Sequence, residues 1–210
     1  MMRKAMVIVC GILLSSIPAF SQSMDNEMLF LDNSQLAIRA AAGYNFWVSE
    51  AIMDSPSEAS AGGFTASVGV YYSIYPGIAL GVEAAYLPLY FGNYPTSGAT
   101  YDLDLSFLPI AAGLNFSSGA LSCSLEIGYA PFIGSLDRIS GTASLSADGF
   151  FFFKSETSIV VISFGNVLLH VSADVYLPLT FMLSSLEDEY GMAVMEFQLS
   201  LKAGVTVILL

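Results

Sequence analysis

The sequence predicts an all-β fold: an eight-stranded antiparallel up-and-down transmembrane β-barrel. Three observations carry the prediction. Of 210 residues, 55% are hydrophobic and only 11% are charged, whereas about a quarter are charged in an ordinary soluble domain. Apolar residues recur at every second position through most of the chain, the period of a strand with two unlike faces. Short turns alternate with longer polar connections, an asymmetry of transmembrane barrels. The same composition excludes intrinsic disorder, which needs low hydrophobicity and high charge. Six Lys+Arg against 18 Asp+Glu, a formal net charge of −12, leave no basic surface for nucleic acid.

The chain opens on a targeting signal over residues 1–21. Arg3 and Lys4 precede an apolar stretch from Ala5 to Phe20, and Ala19 and Ser21 are the small residues of a cleavage site. Residues 22–35 are then a periplasmic leader and residues 36–210 the barrel. Cleavage removes Arg3, Lys4 and Cys10, leaving four cations and Cys123 as the one cysteine, so no intramolecular disulfide forms.

The last strand is the clearest. Between Met192 and Leu210, the residues Ala193, Met195, Phe197, Leu199, Leu201, Ala203, Val205, Val207 and Leu209 share one parity; from Glu196 to Ile208 the other reads Glu196, Gln198, Ser200, Lys202, Gly204 and Thr206, with Ile208 as the apolar intruder. A membrane helix would have no face on which to hide Glu196 and Lys202. Seven further segments alternate in the same way: 36–46, 64–74, 78–86, 101–107, 121–129, 151–161 and 169–177. Every ionisable side chain within the eight falls on the non-apolar parity: Arg39, Glu83, Asp102, Asp104, Glu126, Lys154, Glu156, His170, Asp174, Glu196 and Lys202. That face is small and thinly charged, as the cramped interior of a narrow barrel requires, and the apolar face turns to lipid. Leu125, Val171 and Leu201 are therefore expected outside, and Glu126, His170 and Lys202 inside.

Tyr75-Pro76-Gly77, Ser117-Ser118-Gly119 and Gly165-Asn166 read as short turns. Ser49–Gly63, Pro88–Ala99, Gly134–Gly149 and Ser184–Gly191 read as longer connections, too modest for tall extra-membrane hairpins. This order puts the mature N-terminus on the periplasmic side. After Phe107 the apolar parity switches to Leu108, Ile110, Ala112, Leu114 and Phe116, and a β-bulge is expected at Pro109. Aromatic residues gather near segment ends, as in interfacial girdles: Tyr44, Phe46 and Trp47; Tyr86 and Tyr90; Phe150 to Phe153; Tyr75, Phe116 and Phe164.

Signal, eight alternating segments and alternating connection lengths together resemble the small eight-stranded outer-membrane barrel proteins, the group that includes OmpW-like and OmpX-like members. The stretch from Ser106 to Phe116, with Leu108-Pro109 inside it, is similar to the Leu-Pro-containing fourth strand of OmpW-like barrels. Assembly signals of such barrels usually end in an aromatic residue, and here the chain reads Val207-Ile208-Leu209-Leu210. The resemblance implies a bacterial outer-membrane location, lipid around the wall, the barrel-assembly machinery as a partner during biogenesis, and no cofactor. It also implies a narrow barrel that passes small apolar molecules sideways into the membrane. The alternative is a structural or surface-interaction barrel, adhesin-like, that displays outer loops such as those with Glu50, Asp54 and Glu58 or Glu187-Asp188-Glu189.

A third reading, a lipid-modifying enzyme, rests on His170-x-Ser172, which is similar to the His-x-Ser pair of lipid A deacylases. The Asn that follows in that family is absent, with Ala173-Asp174 in its place, and parity turns both residues inward, so no catalysis is expected. A single His and no Cys pair give no metal site. The inward charges instead predict a plug. An eight-stranded interior is only just wide enough for its own side chains, and buried charges need partners. Arg39 is expected at its centre, beside Lys202, drawing Glu83 or Glu126.

Overall fold

Period-two patterning over segments of about ten residues dictates strands. The computed structural model describes residues 35–48, 62–96, 99–138, 141–143, 149–178 and 197–209. They form β1 (Leu36–Val48), β2 (Gly62–Tyr75), β3 (Ile78–Thr96), β4 (Ala99–Phe107), β5 (Ile110–Ser118), β6 (Leu121–Ala130), β7 (Phe132–Arg138), β8 (Gly141–Ala143), β9 (Phe150–Phe164), β10 (Val167–Pro178) and β11 (Phe197–Leu209). The ladder β1–β2–β3–β5–β6–β9–β10–β11 returns to β1 and closes an eight-stranded antiparallel barrel. The closing seam pairs β1 with β11 without interruption from Leu36↔Leu209 to Val48↔Phe197. Closure leaves the ring no unpaired edge, the condition for backbone in lipid. The signal segment and nearly all of the 22–35 leader lie outside the described residues.

Three two-residue turns, Pro76-Gly77, Gly119-Ala120 and Gly165-Asn166, sit at one end of the barrel, here the turn end. Gly77 (φ 77), Gly119 (φ 58) and Gly165 (φ 56) occupy left-handed backbone that other residues rarely adopt. The second turn lies slightly later than the sequence suggests, because β5 runs on to Ser118.

At the other end the strands outgrow the expected connections. β3 continues through Pro88 to Thr96 and pairs there with β4, and β7 pairs with β4 and β8, so a four-stranded sheet β3–β4–β7–β8 prolongs one side of the wall. The expectation of no tall hairpin is corrected here. The reason is physical: beyond the lipid belt a strand needs no apolar face, so Leu87–Thr96 and Phe132–Arg138 carry no sustained period-two signature, although 101–107 keeps it. The bulge expected at Pro109 is also absent. Leu87↔Phe107 and Ala84↔Ile110 keep the same step, as do Phe107↔Phe132 and Ile110↔Tyr129. The ladder survives the proline because Ala85 N–H donates to Pro109 O at 2.9 Å and Leu108 N–H to Pro131 O at 3.1 Å. Phe107 therefore points inward, 2% exposed, and Leu108 outward, 40% exposed.

The outer face is an apolar belt, interrupted on β9 by the half-buried Ser155 and Thr157. Leu125, Val171 and Leu201 are among its exposed members, and no described charged side chain lies on it. Tyr44, Phe46, Phe64, Tyr86, Tyr129, Phe151 and Phe153 ring one border, and Tyr72, Tyr75, Phe116 and Phe164 the turn end. Phe150 and Phe152, counted with the girdle from sequence, are instead buried inside.

Candidate functional site in the barrel lumen

The lumen is filled by pairing large side chains with glycine across neighbouring strands. Lys202 stands opposite Gly43, Glu126 opposite Gly113, Glu83 opposite Gly69, Tyr71 opposite Gly81, and His170 opposite Gly204. A Cβ at Gly204 would lie 2.6 Å from His170 Nε2, and one at Gly81 would run into the Tyr71 ring. The result is three layers along the axis.

At the turn end Ala37, Tyr71 and Ala79 pack together with Ile208 against them. The middle layer is ionic. Lys154 Nζ reaches Glu83 Oε1 at 2.6 Å, Glu156 Oε2 at 3.1 Å and Glu126 Oε2 at 3.2 Å, so its three protons meet carboxylates from three strands. Lys202 Nζ meets Asp174 Oδ2 at 2.5 Å, donates to Ser67 Oγ at 2.9 Å and lies 3.7 Å from Glu83 Oε1. Arg39 pairs with Glu156 and donates from Nε to His170 Nε2 at 3.2 Å. Tyr71 Oη donates to Glu83 Oε2 at 2.9 Å, joining this layer to the one below. Arg39 lies 5.7 Å from the Tyr71 ring centroid and Lys154 lies 5.9 Å from that of Tyr176, within cation–π range.

The hub is thus Lys154 and not Arg39, and Arg39 takes Glu156 in place of Glu83 or Glu126. The cross-strand register decides this. Lys154 stands directly opposite Glu126 and two residues from Glu156 on its own strand. Asp102 and Asp104 lie on β4 ahead of the described side chains, and Glu196 lies outside the described residues. Oxygens of Glu83, Glu156 and Asp174 come within 4.8 Å of one another, a spacing that suits a metal ion. Lys154, Lys202 and Arg39 already sit on those carboxylates, so an ion would have to displace an ammonium or guanidinium group.

His170 is an acceptor here. Arg39 uses its Nε2 lone pair, and its Nδ1 lies 3.5 Å from Thr206 Oγ1. A general base needs that lone pair for its nucleophile, and Ser172 Oγ has no hydrogen-bond partner among the described residues. The His170-x-Ser172 pair is therefore not assembled as a nucleophile and base.

Above the charges lies an aromatic layer that parity alone does not reveal. Phe107 stacks edge-on to Phe150 at 5.0 Å, Phe150 to Phe152 at 6.3 Å, and Phe152 tilts against Tyr176 at 5.3 Å. Leu87, Ala130 and Pro109 complete it, all buried. The unalternating run Phe150 to Phe153 was the available signal: four apolar residues in a row put apolar side chains on both faces.

No protein-family model and no curated protein sequence matches the chain. Solved structures do. The neisserial surface protein A superposes with a TM-score of 0.53 at 17% identity, covering 82% of this chain and 96% of that one. The outer membrane protein OprG from Pseudomonas aeruginosa gives 0.55 at 10% identity, covering 85% and 97%. A major outer membrane protein from Thermus thermophilus gives 0.55 at 11% identity, covering 84% and 99%. Closed ring, lipid-facing belt and these superpositions agree: the chain has the fold of the small eight-stranded outer-membrane barrels.

Proposed function

We propose that the chain is a bacterial outer-membrane barrel whose lumen is plugged to ions and whose outer half handles small apolar molecules. The observation that carries this reading is the stratified lumen: a buried ionic layer lies beneath Leu87, Phe107, Phe150, Phe152 and Tyr176. Three cations tied to four carboxylates leave no hydrated path through the middle, since each charge is held by side chains from other strands. An apolar molecule entering the aromatic layer meets the ionic floor and has to leave through the wall into lipid. Export would use the signal over residues 1–21, and insertion the barrel-assembly machinery. No catalytic role is proposed for His170 or Ser172.

The test is twofold. Refolded protein in a planar bilayer should stay electrically silent, and vesicles holding it should take up the uncharged fluorophore N-phenyl-1-naphthylamine faster than empty vesicles. Steady ion conductance by the wild type would sink the plug. The second reading, surface display, draws on the β3–β4–β7–β8 sheet that prolongs one side of the wall. Equal uptake with and without barrel would favour it.

A further inference from the structure

The outer layer of the lumen is apolar on one side and polar on the other. Leu87, Phe107, Phe150, Phe152 and Tyr176 come from β3, β4, β9 and β10. Around the rest of the ring, β11, β1 and β2 contribute Gln198, Asn45 and Thr65, all buried. Two of these three are engaged within the wall. Asn45 uses both ends of its amide: Oδ1 accepts from Gly63 N–H at 3.0 Å and Nδ2 donates to Pro88 O at 2.8 Å. Thr65 Oγ1 donates to Tyr86 O at 2.7 Å. Gln198 uses one end. Its Nε2 donates to Ser200 Oγ at 2.5 Å, two residues along the same strand, and its Oε1 has no hydrogen-bond partner among the described residues. The register fixes its height. Gln198 stands directly opposite Tyr176, whose ring packs on Phe152 at 5.3 Å. With Gln198 0% exposed, a carbonyl oxygen is held at the level of the rings and away from water. An acceptor left unpaired in such a place costs stability. Leucine would complete the apolar ring without that cost.

We propose that Gln198 Oε1 is the polar recognition point of the outer layer. The molecule it selects has an apolar body, which lies against Phe107, Phe150, Phe152 and Tyr176, and one hydrogen-bond donor, a hydroxyl or an N–H, which it gives to Gln198. Ser200 acts as a positioning residue, because it holds the amide nitrogen and so leaves the oxygen as the free end. A ligand with no donor leaves that oxygen as unpaired as before, and a carboxylate would set acceptor against acceptor. The inference rests on the function proposed above, since the outer layer must admit small apolar molecules, and it narrows their class.

A matched pair of ligands tests it. Octanol and methyl octyl ether differ by the one donor. Trp47, the single tryptophan, stands directly opposite Gln198 across the closing seam, and its emission reports occupancy. For the barrel refolded in phosphatidylcholine vesicles, half-saturation should come at about tenfold less octanol than ether, each counted as concentration in the lipid, the worth of one buried hydrogen bond. Gln198→Leu should bind both molecules and bring the two midpoints together by weakening octanol alone. Equal midpoints in the wild type, or a preference for the ether, overturn the recognition point and leave an apolar outer layer standing. No saturable response to either molecule overturns the proposed function and the recognition point with it. The wild-type comparison decides by itself should Gln198→Leu fail to refold.

Discussion

The middle and outer layers of the lumen are built by the same strands, often two residues apart. Lys154 follows Phe152, and Asp174 precedes Tyr176, on the same inward parity. One layer is held by paired charges and the other by ring packing. Parity therefore selects the face of the wall, while height along the strand selects the chemistry. The two layers should also fail differently. An ion pair that loses one member leaves a buried charge alone, whereas a ring that shrinks leaves a space its neighbours can partly fill.

The widest separation between them should come from Lys154→Ala. Glu83, Glu126 and Glu156 lose their shared partner, and unfolding stability in denaturant should drop by about 3–5 kcal/mol. Leu201→Arg, on the lipid face, should cost about 2–4 kcal/mol if it sits near mid-bilayer; full refolding by this variant and not by Ser200→Arg would reverse the assignment of faces. Arg39→Ala should cost less than Lys154→Ala, about 1–3 kcal/mol, because Glu156 keeps Lys154. Phe152→Leu should cost about 1–2 kcal/mol, because the lost ring atoms leave a space that the neighbouring side chains partly fill. If it matched Lys154→Ala in the same titration, the contrast between the layers would collapse.

Much of this was legible in the sequence. Strand positions and the closed ring follow from alternation in segments such as 193–209, and the inward placement of Arg39, Glu83, Glu126, Lys154, Glu156, His170, Asp174 and Lys202 follows from the same parity. Partner choice within the lumen was not legible. It depends on the stagger between strands, which decides that Glu126 faces Lys154 and that Gly43 faces Lys202. The inward Phe107, Phe150 and Phe152 were missed because apolar was equated with lipid-facing. Where the interior is apolar as well, the two faces carry the same signal, and the apparent switch at Pro109 was that signal and not a bulge.

The glycines opposite Lys202, Glu126, Glu83, Tyr71 and His170 also bear on how the barrel is assembled. Alternation alone cannot tell the native pairing from a slip of two residues, which keeps every side chain on its proper face. A two-residue slip along the closing seam would set Lys202 against Ala41 or Asn45 in place of Gly43. Similar slips elsewhere would crowd Tyr71 or Glu126 against side chains. Each of these glycines is a keyhole for the bulky residue opposite it, so the lumen proofreads its own strand register as the ring closes.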